Sequence, residues 1–203
     1  MSVGLRVCLL AALLFLGAPG NAVCQSEPRP ADVATLDGII KAYYEVVSGP
    51  AGQPRDWARD SSLHHAEAQV LIVGSDADGR PTPQVMTLGD FHLRSNDLAE
   101  AGFFEYEIHR KTQIHGAIAH VWSTYEWQTR EDGPVGGRGI NSIQLVFDGK
   151  RWWITSWMFD GRSDAPPVPP EYLPAKGRSE AAPSQPRGES VLWRTDRVDP
   201  DVG

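Results

Sequence analysis

Histidine is the residue type in this chain that most directly offers chemistry, because a neutral imidazole can bind a metal or act as a general base. The chain holds six of them, at His64, His65, His92, His109, His115 and His120. Adjacent His64 and His65 cannot share one face of a helix. His109 and His115 flank a predicted turn, but no Cys or carboxylate motif accompanies them. The spacing therefore predicts no metal site.

Two short segments resemble ligand-binding loops in composition alone. Asp76–Gly79 has the acidic start of a calcium loop, but Leu88 stands near the position where that loop needs a Glu. Gly136–Gly139 is rich in Gly, but it precedes a predicted strand, so no helix N-terminus follows to receive a phosphate. We therefore predict no cofactor.

The chain is acidic, with a formal net charge of −7 over 203 residues. Its densest cationic run, His109–Lys111, is isolated, whereas nucleic acids and anionic membrane surfaces are bound by clustered Lys and Arg. The prediction therefore excludes both as partners. The length suits one domain with an ordinary hydrophobic core.

Residues 1–25 are typical of a secretory signal peptide. Arg6 precedes an apolar run that ends at Gly17, and small residues precede a cleavage site near Ala22 to Cys24. The run is shorter than the roughly 20 residues that span a bilayer; an uncleaved anchor and a lipoprotein cut at Cys24 are the alternatives. We predict a secreted or periplasmic protein without a membrane segment in its mature form. With Cys8 and Cys24 outside it, the folded body has no disulfide and no Cys nucleophile.

Hydrophobic periodicity predicts helices first and strands last. Helices are predicted for Val33 to about Ser48 behind Asp32 as N-cap, for Asp56–His65, and for Leu88–Ala99 behind Thr87. Strands are predicted for Gln69–Gly74, Phe103–Gln113 and Ala117–Thr129. In the strand from Phe103, the apolar residues Phe104, Tyr106 and Ile108 alternate with Glu105, Glu107 and His109. This order predicts an α+β domain over residues 32–160, with the helices on one face of a curved sheet.

The segment Gly139–Asp160 predicts a β-hairpin with strands Ile140–Phe147 and Trp152–Phe159. Asp148-Gly149 between two apolar runs is a strong turn signal, because Gly takes the positive φ that such turns need. The return strand carries three Trp residues. A strand this apolar must be covered on both faces.

Residues 161–203 form a tail that is rich in Pro and has no sustained apolar period. We predict that it is largely disordered. Tyr172 and Leu173 are the residues expected to pack back on the domain. Val191–Trp193 is a lone apolar patch, which either docks weakly or has no structural role.

Three segments carry a resemblance to a known family: IIKAYYEVV in the first helix, AHVWSTYEW, and RGINSIQLVFDGKRWWITSWMFD. Over roughly Val33 to Asp160 the chain resembles the nuclear transport factor 2-like superfamily, also called SnoaL-like, which has a cystatin-like fold. The resemblance implies a cone, in which a curved antiparallel sheet wraps the N-terminal helix and leaves a pocket at the wide end. It also implies a homodimer through the outer sheet face. This fold serves enzymes, binding modules and assembly domains, so it does not imply one activity.

The steroid isomerases of this fold use an Asp base with a Tyr and a protonated Asp as hydrogen-bond donors. The resemblance places the Tyr at Tyr43, or at Tyr44 by a slip of one residue, and places Asn141 where the protonated Asp would stand. The base would fall within Val70–Val73, which has no carboxylate. Isomerase chemistry of that type is therefore not expected, although the donor pair is retained.

The same resemblance assigns strand faces, because side chains alternate along a strand. It implies a pocket lined by Tyr43, Trp122, Glu126, Asn141, Thr155 and Trp157. His120 would share this pocket as a general base, unless it is a structural His within the sheet. A register error of one residue would invert each strand.

The opposite face would carry an apolar cluster made of Val121, Tyr125, Trp127, Trp152 and Ile154. So large an apolar face predicts an interface. A homodimer is the leading prediction, and the alternative is a monomer whose tail covers this face.

Three functions remain open. The first is a secreted domain that binds a small, partly apolar ligand without turnover. The second is an enzyme of the isomerase, dehydratase or cyclase type that uses His120 with Tyr43 and Asn141. The third is a dimeric assembly domain that works through the outer sheet face.

Overall fold

The structure is a computed structural model, and it describes residues 27–175 of the chain. The predicted signal peptide and the Val191–Trp193 patch lie outside the described residues. The helices are α1 (Pro30–Val33), α2 (Leu36–Val47), α3 (Trp57–Leu63), α4 (Leu88–Arg94) and α5 (Asn96–Ala101). The strands are β1 (His64–Ser75), β2 (Pro81–Thr87), β3 (Phe104–His115), β4 (Ile118–Gln128), β5 (Gly137–Phe147) and β6 (Trp152–Asp160). None of the helices in this range is long and apolar enough to cross a membrane.

The six strands form one curved sheet in the order β2-β1-β6-β5-β4-β3, and the helices pack on one of its faces. The α+β prediction is therefore confirmed. The expectation of a purely antiparallel sheet is wrong, because β1 and β6 pair in parallel. Strands that follow one another through a hairpin must run antiparallel. β1 and β6 are far apart in sequence, so no hairpin imposes that direction.

The first predicted helix is divided into α1 and α2. Thr35, and not Asp32, caps α2 by accepting a hydrogen bond from the main-chain N–H of Gly38. The Asp32 carboxylate instead receives two hydrogen bonds from Arg59, at 2.7 and 2.9 Å, and they lower the pKa of Asp32. Arg59 also binds Glu45 on α2. One guanidinium thus joins α1, α2 and α3.

The third predicted helix is divided at Ser95 into α4 and α5. Thr87 begins α4 as predicted, with a capping box in which Thr87 and Asp90 each bond the other's main-chain N–H. Gly102 ends α5 with a φ of +77°, a conformation that costs a Gly little. α4 packs against β1, β2 and α5.

Gly102→Ala should destabilise the protein by roughly 2 to 3 kcal/mol. A Cβ at this position would lie 2.8 Å from the carbonyl oxygen of Thr129 and 2.9 Å from the main-chain nitrogen of Ala51, in addition to the strain of a positive φ. Denaturant unfolding measures the loss. Gly52→Ala is the matched control, because it has a similar φ of +78° and open space around its Cβ. Equal losses at both sites would contradict the steric argument.

The predicted hairpin is confirmed as β5 and β6. Asp148 accepts hydrogen bonds from the main-chain N–H groups of Lys150 and Arg151 and from the indole of Trp153. These bonds, that from Trp153 above all, lower the pKa of Asp148 to about 2. Gly149 takes a φ of +93° in the turn. The turn therefore relies on both residues of its Asp-Gly signal.

Candidate functional site

The inner face of β4 is identified by the hydrogen bonds of helix α2. The hydroxyl of Tyr44 lies 2.7 Å from the hydroxyl of Ser123, so Ser123 points toward the helix. Side chains two residues apart share a face of a strand. Val121 and Tyr125 therefore also face the helix, and both belong to the buried core.

His120, Trp122 and Glu126 lie on the outer face, and their predicted place in the pocket is wrong. His120 Nε2 contacts the Ser142 hydroxyl at 3.0 Å, and Glu126 forms an ion pair with Arg138. The reason is the register of β4 against β5. Ser123 stands directly opposite Asn141, and directly opposite residues share a face.

A bulge in β6 causes a second correction. Leu145 of β5 pairs with Ile154 and Gln144 pairs with Ser156, so Thr155 is an extra residue between them. The Thr155 hydroxyl donates to the main-chain oxygen of Gln144 instead of lining a pocket. The inner face of β6 therefore holds Trp152 and Ile154 before the bulge and Trp157 after it.

The apolar cluster predicted for the outer face is consequently part of the interior. Val121, Tyr125 and Ile154 are buried in the core, with Trp127 and Trp152 packed against it. Trp127 stacks on Phe103 at a centroid distance of 6.1 Å. These residues therefore do not lie on the outer face, and a homodimer through that face stays a prediction.

Tyr43, Asn141 and Trp157 are all buried in the interior, and their contact with a ligand stays a prediction. The ring of Tyr43 meets Trp157 edge-on at a centroid distance of 5.6 Å. Trp157 meets Phe91 of α4 in the same way at 4.8 Å. The aromatic interior therefore joins α2, β6 and α4.

A chain of polar side chains crosses this interior. The Asn141 amide donates to the Tyr44 hydroxyl at 3.3 Å, and the Ser123 hydroxyl donates to the Glu107 carboxylate. Because the Ser123 proton is committed to Glu107, the Tyr44 hydroxyl must donate to Ser123. Each hydroxyl has one proton, so the direction of every bond in the chain is determined.

The polar chain continues to the surface of the protein. Glu107 receives a hydrogen bond from Arg110 Nε at 2.8 Å, and Arg110 Nη1 binds Asp37 at 2.6 Å. Asp37 is at the exposed start of α2. The ion pair stabilises the negative charge of Glu107 inside the cone. The network is thus fully paired and anchors Tyr44 and Asn141.

Glu105 is the exception in this interior. It precedes Glu107 by two residues on the inner face of β3, and its carboxylate has neither a hydrogen bond nor an ion pair among residues 27–175. Its main chain is held by the hydroxyl of Ser48. Burial raises the pKa of the Glu105 carboxyl to about 8. A carboxyl group with this pKa is populated in both protonation states near neutral pH.

Three phenols lie close enough to Glu105 to feel its charge. Burial raises the pKa of Tyr43, Tyr44 and Tyr125, and the Glu105 carboxylate raises each of them further. These phenols therefore remain protonated at neutral pH and can act as hydrogen-bond donors. Tyr43 and Tyr125 have no hydroxyl hydrogen bond among the described residues, so both are free to donate to a ligand.

Hydrophobic alternation conceals this site in the sequence. Alternation by itself would place Phe104 and Tyr106 inward and the two Glu residues outward. In the structure Tyr106 is 40% exposed, and Glu105 and Glu107 face the helix. Local pattern and tertiary structure conflict most often where a site needs polar groups inside.

A second polar cluster, which the sequence analysis also missed, lies behind Trp157. The indole N–H of Trp157 donates to His64 Nε2 at 3.1 Å, so the proton of His64 is on Nδ1, which donates to the Asp60 main-chain oxygen at 2.9 Å. The Asp60 carboxyl accepts from His92 Nε2 at 2.7 Å. His92 stacks on Trp57. We call His64, Asp60 and His92 the His–Asp–His cluster.

The Tyr43 phenol is close enough to both Glu105 and the His–Asp–His cluster to feel their charge. Asp60 contributes to the raised pKa of Tyr43, after burial, Glu105 and Tyr44. The contact between Asp60 and His64 had a signal in the sequence, because the two residues are four positions apart across the end of α3. His92 reaches the cluster only through the fold.

The cluster does not form a metal centre. Within residues 27–175, no group of three or more His, Cys, Asp or Glu side chains is arranged to hold a metal ion. Each nitrogen of His64 is already used in a hydrogen bond to protein. The site offers hydrogen-bond donors and one carboxyl group of unusual pKa.

No protein-family model matches the chain, and no curated protein sequence matches it. Similar solved structures include a protein of unknown function with a cystatin-like fold from Nostoc punctiforme, at 12% identity and a TM-score of 0.44, covering 60% of this chain and 84% of that one. An NTF-2 like protein of unknown function from Silicibacter pomeroyi has 16% identity and a TM-score of 0.43, covering 62% and 92%. A protein from Shewanella frigidimarina, provisionally described as a ketosteroid isomerase, has 15% identity and a TM-score of 0.43, covering 60% and 92%.

At such identities the likeness does not extend to activity. Function must be inferred from the side chains of this chain.

Proposed function

We propose that the cone binds a small, partly apolar molecule that presents one hydroxyl or carbonyl oxygen to Glu105, Tyr43 and Tyr125. The observation that supports this proposal best is the unpaired carboxyl group of Glu105 among protonated phenols. Glu105 is half-buried, so a small molecule can reach its carboxyl group. A ligand oxygen would supply the missing partner.

The aromatic composition of the interior supports the apolar part of the ligand. The rings of Tyr43, Trp157 and Phe91 make successive edge-on contacts, and Phe159 stacks on Trp157. Aromatic walls with few polar groups are typical of sites for small molecules. The location outside the cytoplasm, which rests on residues 1–25, stays part of this proposal.

A second candidate function is acid–base catalysis of the isomerase or dehydratase type. Glu105 favours it, because a carboxyl group with a pKa of about 8 can both accept and return a proton near neutral pH. The Glu105 carboxylate would take a proton from the substrate, while a Tyr hydroxyl donates a hydrogen bond to the oxygen that gains negative charge. His120 has no part in this reaction, since it lies on the outer face.

Binding of 2-naphthol, followed by its fluorescence at pH 8.5, tests the proposal. In the wild-type protein much of Glu105 is then ionised and accepts the naphthol O–H. Glu105→Gln should weaken binding about 10-fold or more, because a hydrogen bond to a charged group contributes roughly 1.5 to 3 kcal/mol. The affinity for naphthalene, which lacks the hydroxyl, should not change.

His120→Ala is the matched control for this experiment and should bind 2-naphthol like the wild type. The proposal is wrong if the wild type shows no saturable binding, or if Glu105→Gln and His120→Ala have equal effects. Catalysis is separable from binding. The test substrate is a ketone that exchanges a proton next to its carbonyl group. Catalysis is established if the wild type turns this ketone over and Glu105→Gln binds it without turnover.

A further inference from the structure

The outer face of β3 and β4 is partly covered by a segment of the chain that follows β6. After β6 the chain runs back across the sheet, and Tyr172 lies in a short 3-10 helix, Pro170–Tyr172. Its ring contacts Trp122 at a centroid distance of 5.7 Å. The ammonium of Lys111 lies 4.4 Å from the centre of the same ring, and the Thr124 hydroxyl donates to the Tyr172 main-chain oxygen at 2.6 Å. The expectation that Tyr172 packs on the domain is therefore confirmed.

The segment that docks here has the composition of a proline-rich ligand. Residues 165–174 read APPVPPEYLP, and Pro169 has a φ of −60° and a ψ of 146°, which are the dihedral angles of a polyproline II helix. Such peptides lose little conformational entropy on binding, because they are already extended when free. We call residues 165–174 the proline strap.

The surface beneath the strap has the groups that recognise such a peptide. Lys111 and Trp122 stand directly opposite each other on β3 and β4, and His109 stands opposite Thr124. They combine an aromatic face, a cation for a Tyr ring, and a hydroxyl that donates to a peptide carbonyl. Aromatic surfaces with such donors bind proline-rich segments.

Two polar atoms on this surface have no hydrogen-bond partner even with the strap in place. The indole Nε1 of Trp122 and the Nε2 of His109 are buried and have no hydrogen-bond partner within residues 27–175. An unpaired buried polar group costs roughly 1 to 3 kcal/mol. A peptide whose carbonyl oxygens reach these atoms would regain that energy.

We propose that this outer face binds proline-rich, Tyr-bearing peptides of a partner protein, and that the proline strap occupies the site in cis until such a peptide displaces it. The site consists of His109, Lys111, Trp122 and Thr124. This site is independent of the cone, because the two lie on opposite faces of the sheet.

The test uses full-length protein and a fluorescein-labelled peptide with the sequence of residues 164–175. Tyr172→Ala removes the anchor of the strap in cis, while the peptide keeps its own Tyr. The peptide should bind this variant saturably and at least about 10-fold more tightly than it binds the wild type, where the strap competes at a high effective concentration. Adding Trp122→Ala should reduce the affinity at least about 10-fold.

A peptide with Ala in place of its Tyr is the matched control and should not bind. Circular dichroism and cooperative urea unfolding report whether each variant is folded. The proposal is wrong if Tyr172→Ala binds the peptide no better than the wild type does, or if Trp122→Ala has no effect. It is also wrong if Tyr172→Ala forms dimers and ignores the peptide, because a second copy would then be the occupant.

Discussion

Glu105→Gln should stabilise the folded protein at pH 9 by roughly 3 to 5 kcal/mol and change its stability little at pH 4.5. The Glu105 carboxyl has a pKa of about 8 in the folded protein and 4.5 in an exposed chain. Between these values the folded state binds one more proton than the unfolded state does. Its stability therefore falls as the pH rises through this range.

Glutamine has the shape of a protonated glutamic acid and does not ionise, so the variant should lack this loss. At about 1.4 kcal/mol for each pKa unit, a difference between 4.5 and about 8 corresponds to roughly 5 kcal/mol. Water and structural relaxation near the partly buried carboxyl reduce the value. Burial without a compensating cation is the physical cause.

Urea unfolding at several pH values between 4.5 and 9 measures this effect as the difference between variant and wild type. Glu100→Gln, on the exposed side of α5, is the matched control and should show no such trend. The stability difference between Glu105→Gln and the wild type should change between pH 5 and pH 9. If it is the same at both pH values, the pKa of the Glu105 carboxyl is not raised.

Asp60→Ala should destabilise the protein by about 3 kcal/mol. The Asp60 side chain is 3% exposed, accepts a hydrogen bond from His92, and lies 3.4 Å from His64 Nδ1. Its removal leaves the N–H of His92 without an acceptor in a largely buried place. It also removes the hydrogen bond by which His92 ties α4 to α3.

A double-mutant cycle with His92→Ala isolates the hydrogen bond from the loss of packing. The coupling energy should be about 1 to 2 kcal/mol, whereas an exposed pair gives less than about 0.5 kcal/mol. Asp97→Ala, at the exposed start of α5, controls for the loss of a carboxylate. Additive effects of Asp60→Ala and His92→Ala would show that the bond does not stabilise the fold.

Local signals predicted the elements well because the chemistry that forms them is local. Asp148-Gly149 predicted the hairpin, and Thr87 predicted the start of α4, since each acts within a few residues of itself. The same reasoning placed the cap of α2 at Asp32. It failed there because Asp32 has a stronger long-range partner in Arg59.

The faces of the strands were predicted poorly because each face depends on register. A shift of one residue exchanges inside and outside. On β4 the shift moved His120 from the predicted pocket to the outer face. On β6 the bulge at Thr155 reversed the alternation partway along the strand, and nothing in the residues themselves announces a bulge.

The amino-acid sequence by itself determined the fold class and the hairpin, and it predicted an inward position for Tyr43, Asn141 and Trp157, which are buried. These follow from periodicity, turn residues and the resemblance of whole segments. Only the tertiary structure decided which polar groups meet. Glu105 reaches the phenols, and His92 reaches Asp60, through pairings between distant segments, and the burial that raises the pKa of Glu105 exists only once the sheet has closed around α2.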